Sequence, residues 1–131
     1  MYSDVVMDHF KNPRNIGVIK DANIVVKVGD PSCGDALLVF FKIADERVQD
    51  IKYKIFGCGA AIAVSSIASE MAKGRTLDEV MLITRESIAD ALQGLPADKM
   101  HCSNLAAAAF HAAVNGYRKG AAAPADTPDA G

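Results

Sequence analysis

Three cysteines, Cys33, Cys58 and Cys102, hold most of the chemical potential of this 131-residue chain. Each sits at a junction between apolar stretches rather than inside one. Cys33 lies in Asp30-Pro31-Ser32-Cys33-Gly34-Asp35, Cys58 in Gly57-Cys58-Gly59, and Cys102 in His101-Cys102-Ser103. Flanking glycines remove side-chain bulk, so a large inorganic group could approach the sulfur and the backbone amides. An odd number of cysteines argues against a disulfide framework and turns attention to thiolate chemistry or metal binding. A small buried hydrophobe is the ordinary reading of any single cysteine, but it explains three at glycine-bounded turns poorly. Soft thiolates suit zinc, copper(I) or an iron–sulfur cluster. No C-x-x-C pair is present, so the fold has to assemble such a site.

Other polar residues cluster around the cysteines. Asp35 follows Cys33 by two positions, and in an extended stretch both side chains leave the same side, placing carboxylate beside sulfur. The competing reading is a turn-capping aspartate. His101 is either a ligand or a helix-start residue. His9 and His111 fall on helical surfaces without a motif and read as structural. A hydrolase built on Cys102 and His101 is disfavoured, because neighbours along a helix do not face one another.

The elements that must position these groups follow from periodicity. Val5, Val6, His9 and Phe10 have helical spacing, and Asn12-Pro13 ends that helix. Three strands follow: the β-branched run 24–28, then 36–43 with Leu37, Val39, Phe41 and Ile43 on one face, then Ile51, Tyr53 and Ile55 alternating with Lys52 and Lys54. Asp45-Glu46-Arg47 is a tight turn between the last two, so an antiparallel meander with one wet face is expected.

The pattern then becomes helical. One helix is predicted over 60–72 and stops at Gly74. Thr76-Leu77-Asp78-Glu79 is a capping box, and short helices are expected to Ile83 and over 85–93. A last, alanine-rich helix starts near Cys102 and runs to Tyr117. The fold class is therefore α+β: a three-stranded antiparallel sheet with helices packed on one face. Residues 1–119 form one domain, and 120–131 read as a frayed tail. Cys58 and Cys102 both fall at predicted helix starts, where the dipole and unpaired amides favour negative charge. The thiolate is the form that binds metal or accepts sulfur.

Composition excludes other classes. Half of the residues are hydrophobic and the net charge is −2, without a clustered excess of Lys and Arg, which disfavours nucleic acid. No stretch approaches the ~18 consecutive apolar residues of a membrane helix. The first residues lack a basic region followed by an apolar run, so a cytoplasmic location is expected.

Four separated segments, in order, resemble the U-type iron–sulfur cluster assembly scaffolds, the IscU and NifU N-terminal domain family. They are His9-Phe10-Lys11-Asn12-Pro13-Arg14-Asn15, Cys33-Gly34-Asp35, Phe56-Gly57-Cys58-Gly59-Ala60, and Lys99-Met100-His101-Cys102-Ser103. The resemblance runs from Tyr2 to about Tyr117. It implies a scaffold rather than an enzyme, with Cys33, Cys58, Cys102 and Asp35 holding a nascent [2Fe–2S] cluster and Lys99 and His101 nearby. It further implies a cysteine desulfurase partner that delivers persulfide, with Cys102 as the receiving thiol, and apo-protein acceptors. Tyr2 resembles a family tyrosine linked to reductive steps or dimerisation, and a homodimer fits the loaded form.

Two departures bear on that picture. The segment Leu95-Pro96-Ala97-Asp98-Lys99 lacks the second proline and the valine of the family's Leu-Pro-Pro-Val-Lys, which weakens the case for a dedicated Hsp70 chaperone. A zinc-bound sulfur acceptor of the SufU type would use the same four ligands and carry Zn2+ in the cluster-free state. Those relatives have an insertion before the third cysteine, and none is evident between Cys58 and Cys102.

Overall fold

The computed structural model describes residues 2–30, 35–119 and 125–126. The chain opens with helix α1 (Asp4–Lys11), then strands β1 (Ile24–Asp30), β2 (Asp35–Ala44) and β3 (Arg47–Phe56). Helices α2 (Gly59–Ala72), α3 (Leu77–Met81), α4 (Arg85–Ala91) and α5 (Met100–Arg118) follow, with a 3₁₀ turn at Ala97–Lys99. A two-residue strand β4 (Ala125–Asp126) pairs parallel to β1, giving the sheet order β3-β2-β1-β4.

The meander forms as the alternation predicts. β1 pairs antiparallel with β2 from Ile24↔Phe41 to Asp30↔Asp35, and β2 with β3 from Ala36↔Phe56 to Ala44↔Arg47. Asp45 and Glu46 both have positive φ (55° and 58°), the backbone twist that joins right-twisted strands through two residues. The outer edge of β3 is partly covered, because the Asn15–Gly17 loop exchanges backbone hydrogen bonds with Tyr53.

One face of the sheet is dry. Ile24, Val26, Val28, Leu37, Val39, Phe41, Ile51 and Tyr53 are buried against α2 and α5. Phe110 of α5 sits edge-on to Phe41 with ring centroids 5.5 Å apart, a favoured aromatic geometry. Small residues let α5 approach the sheet closely: a Cβ added at Gly116 would stand 2.7 Å from Ile24 Cδ1. Lys27, Lys52 and Lys54 occupy the opposite, wet face.

Helix boundaries differ slightly from the sequence reading. Gln93 and Gly94 both adopt positive φ, and the Gly94 N–H donates to the Ala89 carbonyl, so α4 closes at Ala91 rather than Gln93. α5 begins two residues before Cys102, because the 3₁₀ turn at Ala97–Lys99 feeds straight into it. The Thr76–Glu79 capping box forms in both directions.

α1 is pinned by a polar contact that the sequence reading did not foresee. His9 was expected on a helical surface. Instead it is buried, with Nδ1 2.7 Å from Ser66 Oγ of α2. Ser66 Oγ also accepts from the Arg14 N–H at 2.9 Å. Burial, and then the nearby Arg14 charge, hold the His9 pKa below its ordinary 6.5.

Two expectations follow. Phe110→Ala should lower the unfolding free energy by about 3–5 kcal/mol, whereas Thr76→Ala should cost about 1 kcal/mol, both read from urea midpoints. For His9, the unfolded chain binds the proton more tightly than the folded one. Its contribution is therefore intact above the ordinary histidine value and lost as pH falls through 6.5 toward the lower folded value. Urea titrations across that window should show this loss in the native chain and a shallower slope in His9→Gln.

Candidate functional site

The site is built where β3 hands over to α2 and the 3₁₀ turn to α5. β3 ends at Phe56, and after Gly57 the chain turns into α2 with Cys58 as its N-cap residue. Cys102 lies in the first turn of α5 and is buried. The two sulfurs, 44 positions apart in the chain, stand 3.9 Å from each other. Two thiolates on one tetrahedral ion, each at about 2.3 Å, are separated by about 3.8 Å. The pair therefore has the spacing of two ligands on a single metal centre.

The helix starts add an electrostatic reason for this placement. α1, α3 and α4 are each capped by a hydroxyl, from Ser3, Thr76 and Thr84. α2 and α5 have no side-chain cap and no acidic residue in the first turn. The two helices that lack a hydroxyl cap are the two that carry a cysteine at the N-cap (Cys58) or in the first turn (Cys102). Their leading amides and positive dipole ends converge on the sulfur pair, which suits an anionic guest.

Gly59 has another use than the sequence suggested. A Cβ there would meet the Phe10 ring at 3.0 Å. The space that the missing side chain leaves is taken by α1 packing on the first residue of α2, not by an approach path for an inorganic group. Sequence alone signalled this only through Phe10 lying on the same helix face as Val6.

His101 approaches Cys102 more closely than neighbours on a helix were expected to. Its Nε2 lies 3.6 Å from Cys102 Sγ, and Nδ1 lies 3.2 Å from the Asp98 carbonyl oxygen. With Nδ1 protonated and donating to that carbonyl, Nε2 is left to face the sulfur as an acceptor. The imidazole reaches its neighbour by folding back over the 3₁₀ turn, a geometry that a helical-wheel argument omits. Lys99, the last residue of that turn, stands in the field of Cys58 first and Tyr2 second. Charge interaction with Cys58, and next with Tyr2, raises its pKa, which keeps the ammonium charged. Tyr2 therefore lies on the site side of the fold. His111 Nε2 donates to the Ile83 carbonyl oxygen, 2.7 Å away, and is structural.

Cys33 lies outside the described residues, and of Asp35 only the backbone is described. Asp35 begins β2, and the next residue, Ala36, pairs with Phe56. The chain that carries Cys33 thus joins the sheet at the end from which Cys58 emerges. Among the described residues, no three His, Cys, Asp or Glu side chains are grouped to hold a metal ion. No helix among them is long and apolar enough to cross a membrane.

Comparison with known proteins follows the same lines. The family model described as NifU-like N terminal domain matches residues 1–123. The iron–sulfur cluster assembly scaffold protein IscU 1 of Archaeoglobus fulgidus is 57% identical over 117 residues, covering 89% of this chain and 76% of that protein. IscU of Azotobacter vinelandii is 46% identical over 121 residues, covering 89% of this chain and 94% of that one. Among solved structures, FiSufU of Fervidobacterium islandicum superimposes with a TM-score of 0.64 at 20% identity, covering 86% of this chain and 96% of that one. The N-terminal part of a NifU-like protein from Brucella abortus gives 0.59 at 21% identity, covering 88% of this chain and 78% of that one. At such identities the structures speak for the α+β fold alone. By the family model and these relatives, the chain belongs to the family of NifU-like N-terminal domains.

Proposed function

We propose that this protein is a scaffold on which a [2Fe–2S] cluster is assembled and from which it is passed to apo-protein acceptors. The observation that carries the reading is the 3.9 Å separation of Cys58 and Cys102 at two converging helix starts without side-chain caps. The names of the relatives from Archaeoglobus fulgidus and Azotobacter vinelandii describe the same role for those proteins. Cys33, Cys58 and Cys102 supply thiolates and Asp35 a carboxylate to the cargo. A cysteine desulfurase delivers sulfur as a persulfide to Cys102, and the setting is the thiol-reducing cytoplasm.

Each residue has a physical task. The uncapped amides and the Lys99 ammonium offset the negative charge of thiolates and sulfide as the cargo grows. His101 is oriented by the Asp98 carbonyl so that Nε2 faces Cys102, where it can take the thiol proton. Four thiolates hold a [2Fe–2S] cluster in a permanent carrier. A carboxylate in place of one of them is a harder, less covalent ligand for iron, which eases release.

Anaerobic purification, or reconstitution with ferrous iron and a cysteine desulfurase, separates this reading from a zinc-bound sulfur acceptor. The scaffold gives a brown protein with iron and acid-labile sulfide in equal amounts. A colourless protein with stoichiometric zinc that refuses iron would favour the acceptor. Asp35→Ala should lengthen cluster half-life during transfer to an apo-acceptor by about tenfold. Faster or unchanged release in that variant would refute the role given to Asp35.

A further inference from the structure

The contact between Cys58 and Cys102 has a second chemical meaning besides shared ligation. At 3.9 Å the sulfurs touch without being bonded, since a disulfide spans about 2.05 Å. A thiolate this close to a sulfur bearing a leaving group is a nucleophile already delivered to its target. We propose that Cys58 is the resolving thiol for a persulfide on Cys102. This rests on the reading above that makes Cys102 the receiving thiol.

The step balances within the pair. The Cys58 thiolate attacks the inner sulfur of the Cys102 persulfide and forms the Cys58–Cys102 disulfide. The bond between inner and outer sulfur breaks, and its electron pair leaves with the outer atom as hydrosulfide. The sulfane sulfur gains two electrons and the two cysteines lose two, so no external reductant enters this step. A dithiol reductant, through exchange, then returns both cysteines to thiols with two electrons and two protons.

The local structure suits this exchange. Cys58 is partly exposed at the N-cap of α2, whereas Cys102 is buried one helix away. The attacking sulfur therefore comes from the open side of the pair. The hydrosulfide is released between two helix starts that favour anions and beside the Lys99 ammonium. Sulfide is thus generated where the thiolates would later receive it with iron. Disulfide and ligation need the same two sulfurs, so resolution and reset must precede cluster binding.

The test uses the full chain with Cys33→Ser, which removes the third thiol from competition. A stoichiometric pulse of inorganic polysulfide under argon, followed by rapid desalting, loads the protein, and intact mass and sulfide are followed in time. The form one sulfur heavier should decay to a form two hydrogens lighter than the starting protein, with matching sulfide release and a cross-linked Cys58–Cys102 peptide. Adding Cys58→Ser, or Cys58→Ala as a second variant, should leave the heavier form standing and slow sulfide release by about tenfold or more. Circular dichroism checks that both variants are folded. Persistence of the Cys102 persulfide with Cys58 present, or equal release without it, overturns the inference while leaving the scaffold reading intact. If Cys102 takes up no sulfur in any variant, the acceptor role falls and the inference falls with it.

Discussion

Everything distinctive about this chain depends on two helix N-termini meeting at one end of a sheet. α2 starts where β3 stops, and α5 is drawn to the same place because its alanine face and Phe110 pack on β1 and β2. Apolar burial along the whole sheet therefore sets a distance of a few ångströms between two sulfurs at its end. Neither cysteine makes that geometry; both receive it. The site is precise because its supports are rigid elements rather than loops.

The same supports explain which charges the site tolerates. Hydroxyl caps satisfy the first turns of the three helices that have no part in the chemistry. At the cysteines no side chain caps the helix start, and the Met100 N–H of α5 donates instead to the Ala97 carbonyl of the 3₁₀ turn. Lys99 adds a cation whose protonation is reinforced by Cys58 and Tyr2. Dipole and ammonium are both positive and oppose the negative charge of thiolates gathered at the site.

Much of the fold was legible in the sequence because period and punctuation agreed. Alternation in β2 and β3, the Asp45-Glu46 turn and the Thr76 capping box all act locally, so local patterns reveal them. The misreadings fall where distant elements decide. His9 looked like a surface residue because nothing near it in sequence announces Ser66, 57 positions away. Gly59 looked like room for a guest because Phe10 comes from another helix. The close approach of His101 to Cys102 was disfavoured by helical geometry, yet a 3₁₀ turn before α5 let its ring fold back. The grouping of Cys58 with Cys102 followed from their residue types and junction positions. Its closeness is a property of packing alone.

The missing hydroxyl caps at α2 and α5 also tie folding to occupancy. A helix end without a side-chain cap frays more readily than one capped by its own hydroxyl. A guest that bridges both ends would clip them together, and whatever binds only the native chain raises its melting temperature by mass action. Filling and emptying the site would then stiffen and loosen the junction between sheet and helices. An acceptor could read that change in suppleness as a statement of whether the carrier is full.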